Sequence, residues 1–336
     1  MKILLINIKY LGDLIVSTPG LNALRKAKPE AEIVFLLRKG FEDVLQNNPN
    51  INKIISFDPS LKGNSGFKKI AAGIKFIKKI RDEKFDVVIA LHPGDRTAFW
   101  AWFSGAKTRI APYKQSFGSL FNRRIKVSED SISYLDYYNQ IISAFIGKFD
   151  STGTEFFIPA KDEIWADNFL KENNFSGDKK TIGIHPGASE PTKIWPAVKF
   201  IELIRKLINS GSEIFLIEGP QDKLICEKIK SAFAGNELKY FRSEKISQTA
   251  ALIKKCNLFI THDTGTRHLS VAVETPVLAL LPEDNLAYWN FYDQISYHHS
   301  LIGKRYIEEN DSQRTGFLDG ISVNEVFEKA AGLLEL

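Results

Sequence analysis

The chain has 336 residues, 44% of them hydrophobic and 25% charged, with a net charge of +5; these values exclude a disordered or collagen-like polymer and suit two globular domains. Cys226 and Cys256 are too few for a disulfide framework, Met1 to Ile8 meets Lys9 too early for a signal peptide, and no stretch approaches the roughly 20 apolar residues of a membrane span. A reduced, cytoplasmic chain is expected.

In chain order, Lys2–Ile8 reads as a buried strand, Leu11-Gly12-Asp13 as a loop, and Leu14 to Ala27 as a helix ending near Pro29. Strands at Ala31–Leu37 and Ile54–Phe57 flank a short helix at Phe41–Gln46. Phe67–Arg81 has helical spacing, with Phe67, Ile70, Ile74 and Ile77 on one face and lysines elsewhere. Phe85–Leu91 is the next strand. Residues 155–175 read as a linker.

The alternation then restarts. Strands are predicted at Thr181–His185, Glu213–Glu218, Asn257–Thr261 and Val277–Leu281. Helices are predicted at Ala197–Ser210, from Lys223, at Ser247–Lys255 and at His268–Val273. Two successive α/β units predict two Rossmann-like domains, 1–160 and 161–336, facing a cleft. Ligands in such sheets bind beyond the carboxyl ends of the strands.

Gly12 and Asp13 follow the first strand. Asp13 is either a general base or a cap for the helix after it. His185 to Pro196 is either a surface turn or an anion loop in which Ser189, Thr192 and Lys193 meet a phosphate. Glu218 and Asp222, after another strand, are each a ribose acceptor or a solvated turn carboxylate. Asp263-Thr264-Gly265 precedes a helix whose first N–H groups suit a diphosphate, and Asp263 can accept from sugar hydroxyls. His268 is a site residue or a core histidine. His298-His299 reads as surface. The chain has no Gly-x-Gly-x-x-Gly after strand one, no Walker A motif and no zinc-spaced Cys/His cluster, which disfavours dehydrogenase, P-loop and zinc chemistry.

Taken together, these segments resemble glycosyltransferase family 9, the lipopolysaccharide heptosyltransferases. The resemblance rests on Met1 through Leu11-Gly12-Asp13 and Ser17-Thr18-Pro19. It rests also on Pro186-Gly187-Ala188-Ser189 with Lys193 and Trp195-Pro196, and on Asp263-Thr264-Gly265 with His268 and Thr275-Pro276-Val277. Asp86-Val87-Val88-Ile89 with Arg96 and Gly105 to Ile110 is a looser match. It implies a GT-B fold, an ADP-heptose donor and inversion at the anomeric carbon. It implies Asp13 as base, Lys193 with Thr264-Gly265 on the diphosphate, Asp263 on the heptose, and neither metal nor cofactor. It also implies that the final helix, about Val323–Leu334, can return to the first domain. The chain departs from the family's usual Arg at Asn7 and usual Gly at Glu274, at Leu281 to Asp284, and at the charge of Arg267. These departures keep open a different nucleotide-hexose donor, or a non-catalytic glycan- or nucleotide-binding relative.

Residues 1–150 hold 24 basic and 14 acidic residues, a net +10. That balance is either chance segregation of solvated surface charge or the mark of an anionic partner, for which nucleic acid, phospholipid and phosphorylated glycolipid serve equally; the resemblance implies an inner-core glycolipid bearing Kdo and phosphate, not nucleic acid. Lys62, Lys68, Lys69, Arg96 and Arg123, with Arg124, are the acceptor candidates. Phe67–Arg81 is a candidate for peripheral contact with the cytoplasmic face of the inner membrane.

Overall fold

The computed structural model describes residues 1–59, 67–114, 116–127, 133–235, 237–289, 291–304 and 317–336, without the side chains of 67–70, 285 and 287. Two compact units divide after Glu155.

The first unit runs β1 (Lys2–Ile6), α1 (Leu11–Val16), α2 (Thr18–Ala27), β2 (Glu32–Arg38), β3 (Lys53–Phe57), α3 (Phe67–Asp82), β4 (Val87–Ala90), α4 (Asp95–Phe103), β5 (Thr108–Pro112), β6 (Arg123–Ile125) and α5 (Tyr134–Ile146). The second runs α6 (Ala160–Glu172), β7 (Thr181–Ile184), α7 (Ala197–Asn209), β8 (Glu213–Glu218), α8 (Lys223–Lys230), β9 (Lys239–Arg242), α9 (Ile246–Lys254), β10 (Leu258–His262), α10 (Gly265–Ala272), β11 (Val277–Pro282), α11 (Leu286–Trp289), β12 (His298–Gly303) and α12 (Val323–Leu334).

Each unit holds a six-stranded sheet, ordered β3-β2-β1-β4-β5-β6 in the first and β12-β11-β10-β7-β8-β9 in the second. All pairings are parallel. The central strands are continuous apolar runs because helices cover both faces. Ile3 to Ile6 and Leu258 to Ile260 are fully buried. In each sheet the winding reverses beside the first strand, between β1 and β4 and between β7 and β10. The loops after those strands therefore diverge and leave room for a ligand.

Helix faces follow the same logic. In α7, Phe200, Leu203, Ile204 and Leu207 are buried at i, i+3, i+4 and i+7. In α3 the inward face is Phe76, Ile77 and Ile80, and Ile74, placed inward by the sequence pattern, is 62% exposed. α12 buries Val326, Ala330 and Leu334 in the core of the second unit and packs on α7. No helix among the described residues is long and apolar enough to cross a membrane.

Three local expectations are corrected. Leu11-Gly12-Asp13 is the first turn of α1, not a loop. The carboxylate of Asp13 accepts from the Tyr10 N–H at 3.3 Å, which satisfies one of the helix's orphan donors. Residues 155–175 contain α6 rather than a linker, because Trp165 and Phe169 pack on Phe241 and Phe215. His298 is 5% exposed, since it opens β12 opposite Val277 of β11.

Gly183 lies in the centre of β7. A Cβ there would sit 2.8 Å from Cys256 Sγ and 2.9 Å from both Phe215 Cζ and Phe259 Cδ2. Gly183→Ala is expected to cost about 1–3 kcal/mol through overpacking, read as a lower urea midpoint with an unchanged slope. An unchanged midpoint would show that these rings yield.

Candidate active site

At the reversal point of the first sheet, Asp13 is held from two sides. Its Oδ1 accepts from the Tyr138 hydroxyl at 2.6 Å, and α5 carries that tyrosine, which is 1% exposed. Asn7 is fully buried; its Nδ2 donates to the Asp13 carbonyl at 3.3 Å and its Oδ1 accepts from the Lys9 N–H at 3.2 Å. Burial pushes the Asp13 carboxyl above its ordinary value, against the opposing pull of Tyr138, the Tyr10 N–H and Lys9. Burial, with the charge of Asp13, also pushes the Tyr138 hydroxyl well up, so it stays protonated as the donor.

His92 follows β4, where the Leu91 N–H meets the Ile6 carbonyl at 3.0 Å. It is 5% exposed. Among the described residues nothing pairs with its Nδ1. Burial, then the charge of Lys9, pulls its pKa down to about 4, so the ring is neutral near pH 7.

At the reversal point of the second sheet, three loops converge on two histidines. His262 ends β10 and is fully buried. Its ring bridges the Gly187 carbonyl, 3.0 Å from Nδ1, and the Trp195 N–H, 3.1 Å from Nε2. The carbonyl only accepts and the N–H only donates, so Nδ1 carries the hydrogen. Burial pulls its pKa down to about 4, which preserves that arrangement. His262 thus pins the 187–195 loop over the end of β10.

His185 follows β7, and its Nε2 lies 2.9 Å from Asp222 Oδ2. A carboxylate can only accept, so Nε2 carries the hydrogen. Its Nδ1 lies 3.2 Å from the hydroxyl of Thr266 and 3.4 Å from that of Thr261. Thr266 Oγ1 lies 2.9 Å from that of Thr261 and 2.8 Å from that of Thr264. An Asp–His–threonine chain therefore ends at the N-terminus of α10. Burial opposes ionisation of Asp222, but His185 and the Gly219 N–H hold its carboxyl below its ordinary value. A Cβ on Gly187 or Gly219 would lie 2.0 or 2.5 Å from this carboxylate, so both loops close on it only as glycine.

Asp222 and Glu218, equivalent in the sequence, are separated here. Asp222 ties the loops together, with the Gly219 N–H on its Oδ2 at 3.0 Å. Glu218, 3% exposed, accepts from the Tyr240 hydroxyl and lies 3.5 Å from Arg242. Lys193 closes a short 3-10 turn, Pro191–Lys193, and lies 2.9 Å from exposed Glu190. Such surface pairs contribute little and exchange readily. Ser189 is exposed on the same loop and Thr192 is half-buried. The N–H groups of Gly265 and Thr266, in the first turn of α10, point out of the helix.

Arg267 turns away from these donors. It is fully buried, with Nη1 donating to Asp263 at 2.9 Å and Nε to His298 at 3.0 Å. His268 is 4% exposed. Its Nδ1 lies 2.8 Å from the Tyr292 hydroxyl, and its ring sits among Trp289, Phe291 and Tyr292. Burial, then Arg267 and His298, drives its pKa well down. Glu274, where the resemblance favours glycine, takes the left-handed φ of 59° that its turn requires.

Among the acceptor candidates, Arg96 lies on the first turn of α4 with its guanidinium 5.0 Å from the Phe57 ring. Arg123 donates to the Ala144 carbonyl, and Arg124 lies over Tyr113. Lys62 is outside the described residues. Lys68 and Lys69 lie on α3, but their side chains are outside the described residues. Sequence reasoning missed His92, His185, His262 and Tyr138. The three histidines carried a signal, since each closes or follows a strand that ends at a reversal point.

Two parallel six-stranded sheets wound in this order make the GT-B fold. Solved structures show the same fold: a glycosyl transferase family 9 protein of Veillonella parvula DSM 2008 (TM-score 0.84, 23% identity, 99% of this chain and 97% of that one). The E. coli ADP-heptose lipopolysaccharide heptosyltransferase II gives a TM-score of 0.82 at 20% identity, over 100% of this chain and 99% of that one. The model for glycosyltransferase family 9 (heptosyltransferase) matches residues 74–312, well over half of the chain. The protein is a glycosyltransferase and belongs to that family. Lipopolysaccharide heptosyltransferase 3 of Escherichia coli strain K12 is 26% identical over 294 residues, spanning 84% of this chain and 82% of that protein.

Replacing His262 by Phe would leave the Trp195 N–H and the Gly187 carbonyl unpaired. The expected cost is about 1–3 kcal/mol per orphaned group, read by urea denaturation together with faster proteolysis of the 187–195 loop. Wild-type midpoint and proteolysis would show that His262 does not hold the loop.

Proposed function

We propose that this protein transfers heptose from ADP-heptose, with inversion, to an inner-core lipopolysaccharide acceptor bearing Kdo, at the cytoplasmic face of the inner membrane. The observation that carries the proposal is the half-buried Asp13 carboxylate, held by Tyr138 at the reversal point of the first sheet. In this reading Asp13 takes the proton of the acceptor hydroxyl. That oxygen attacks the anomeric carbon from the side opposite the diphosphate, and the bond to the diphosphate breaks. The raised pKa of Asp13 makes it a stronger base than a solvated carboxylate.

The second unit is the donor site in this reading. The hydroxyls of Thr264 and Thr266, the first N–H groups of α10 and Lys193 receive the charge that grows on the leaving diphosphate. These groups carry that task without a metal. Glu218, with Ser189 and Thr192 nearby in the donor loops, addresses the nucleoside end, and Asp263 the sugar. The family relatives support the donor: the E. coli protein of the same fold is an ADP-heptose lipopolysaccharide heptosyltransferase. The Arg267–Asp263 ion pair supports a second reading, with a different nucleotide-linked hexose, because it occupies a carboxylate oxygen that the sugar would otherwise use.

Thermal shifts with ADP, UDP and GDP separate the two. A selective rise with ADP supports ADP-heptose, and a rise with UDP or GDP alone replaces the donor. Asp13→Asn is expected to lower turnover by roughly a hundredfold to ten-thousandfold while the ADP shift persists; near-normal turnover would remove Asp13 from the base role. The same variant should be no less stable at neutral pH. A carboxyl whose folded-state pKa is raised loses stability as pH rises through its titration, and the amide is spared that loss.

The pH profile gives an independent check. Activity needs the ionised form of Asp13, so kcat/KM should fall as pH drops through its raised pKa. Tyr138→Phe removes a hydrogen bond that favours the carboxylate, so the acid limb should move to higher pH. An unmoved limb would assign it to another group.

A further inference from the structure

The face of α4 that turns away from the core is aromatic. Ala98 and Trp100 pack inward, while Phe99, Trp102 and Phe103 are 40%, 47% and 41% exposed. Tyr113 and Phe117, beyond β5, are 56% and 54% exposed. Phe99 and Phe117 meet, with ring centroids 5.0 Å apart. Phe117 holds a left-handed φ of 52°, a strained conformation for a bulky residue, and more than half of it stays exposed. Contiguous apolar patches of this kind are rare on surfaces that meet only water.

Basic groups are threaded through the patch. Arg109 lies 5.0 Å over the Trp102 ring and Arg124 5.0 Å over the Tyr113 ring. Lys107 and Lys126 are exposed nearby in the chain. From Asp95 to Lys126 the sequence holds seven basic residues and one acidic residue. Exposed Trp and Tyr favour the level of lipid headgroups. Phe side chains there enter the acyl boundary, and Lys and Arg meet anionic headgroups. Three Phe rings with no polar atom suit that boundary better than the stacked bases and hydrogen-bonding edges of a nucleic acid.

We propose that this patch, the outer face of α4 with Tyr113 and Phe117, docks the first unit on an anionic phospholipid surface. The inference deepens the glycolipid-acceptor reading, on which it rests, by naming the surface that meets the bilayer. It assigns that contact to α4 rather than to α3, the candidate that the sequence offered.

Sedimentation of the full chain with phosphatidylglycerol vesicles, and separately with phosphatidylcholine vesicles, tests the proposal. The chain is expected to pellet with the anionic vesicles and to be released by added salt. Trp102→Ser with Phe103→Ser should weaken vesicle binding by roughly tenfold or more, because apolar area drives insertion. Lys107→Glu with Lys126→Glu should weaken it by about fivefold for each basic charge removed. Both pairs should keep the wild-type thermal shift with ADP, which reports an intact second unit. Brominated acyl chains should quench wild-type tryptophan fluorescence, and Trp102→Phe should remove that quenching while still pelleting. A wild-type chain that stays in the supernatant would overturn the proposal. So would variants that pellet like wild type, or binding of a single-stranded oligonucleotide in place of vesicles. Vesicle binding by a chain that shows no ADP shift would support this surface and count against the donor assignment alone.

Discussion

The parallel pairing of β1 with β4, and of β7 with β10, fixes everything that follows at both sites. A parallel sheet wound outward from its first strand must reverse direction once, and the loops on either side of that reversal cannot cover one another. In the first unit this leaves the Asn7–Asp13 segment beside His92. In the second it leaves His185 and its loop beside His262 and the start of α10. The backbone decides where chemistry is possible before any side chain is chosen.

Side chains then stabilise those open loops through a small set of buried polar contacts. In the second unit, two buried histidines act as connectors. His262 joins a carbonyl to an N–H across the 187–195 loop, and His185 joins Asp222 to the threonine hydroxyls. Each would be costly if one partner were lost, because no solvent replaces it. The same dependence explains the two glycines pressed against Asp222. Rigidity of this kind matters to a transferase, since donors aimed in advance at a leaving group need no reorganisation during the reaction.

Burial shifts the site's ionisable groups in opposite directions. It raises Asp13 and lowers His92, His262 and His268. All four shifts favour the neutral form, and at Asp13 the hydrogen bonds from Tyr138 and the Tyr10 N–H work against that shift.

The sequence by itself determined the α/β class, the two-unit plan and the strand-end loops that hold the candidate site. These depend on local features: the period of apolar residues, the length of each run, and small residues where a strand ends. The family motifs sit in the same loops, so they too were legible. The tertiary structure alone decided what each polar residue does. Glu218 and Asp222 stand four positions apart after one strand, yet one meets Tyr240 and Arg242 while the other meets His185. Arg267 read as a charge beside the diphosphate loop and is an interior ion pair; His298 read as surface and is its partner. Tyr138, distant in the chain from Asp13, left no local trace of its contact. Hydrogen-bond partners, burial and protonation depend on residues brought together from far along the chain, and no local pattern encodes that proximity.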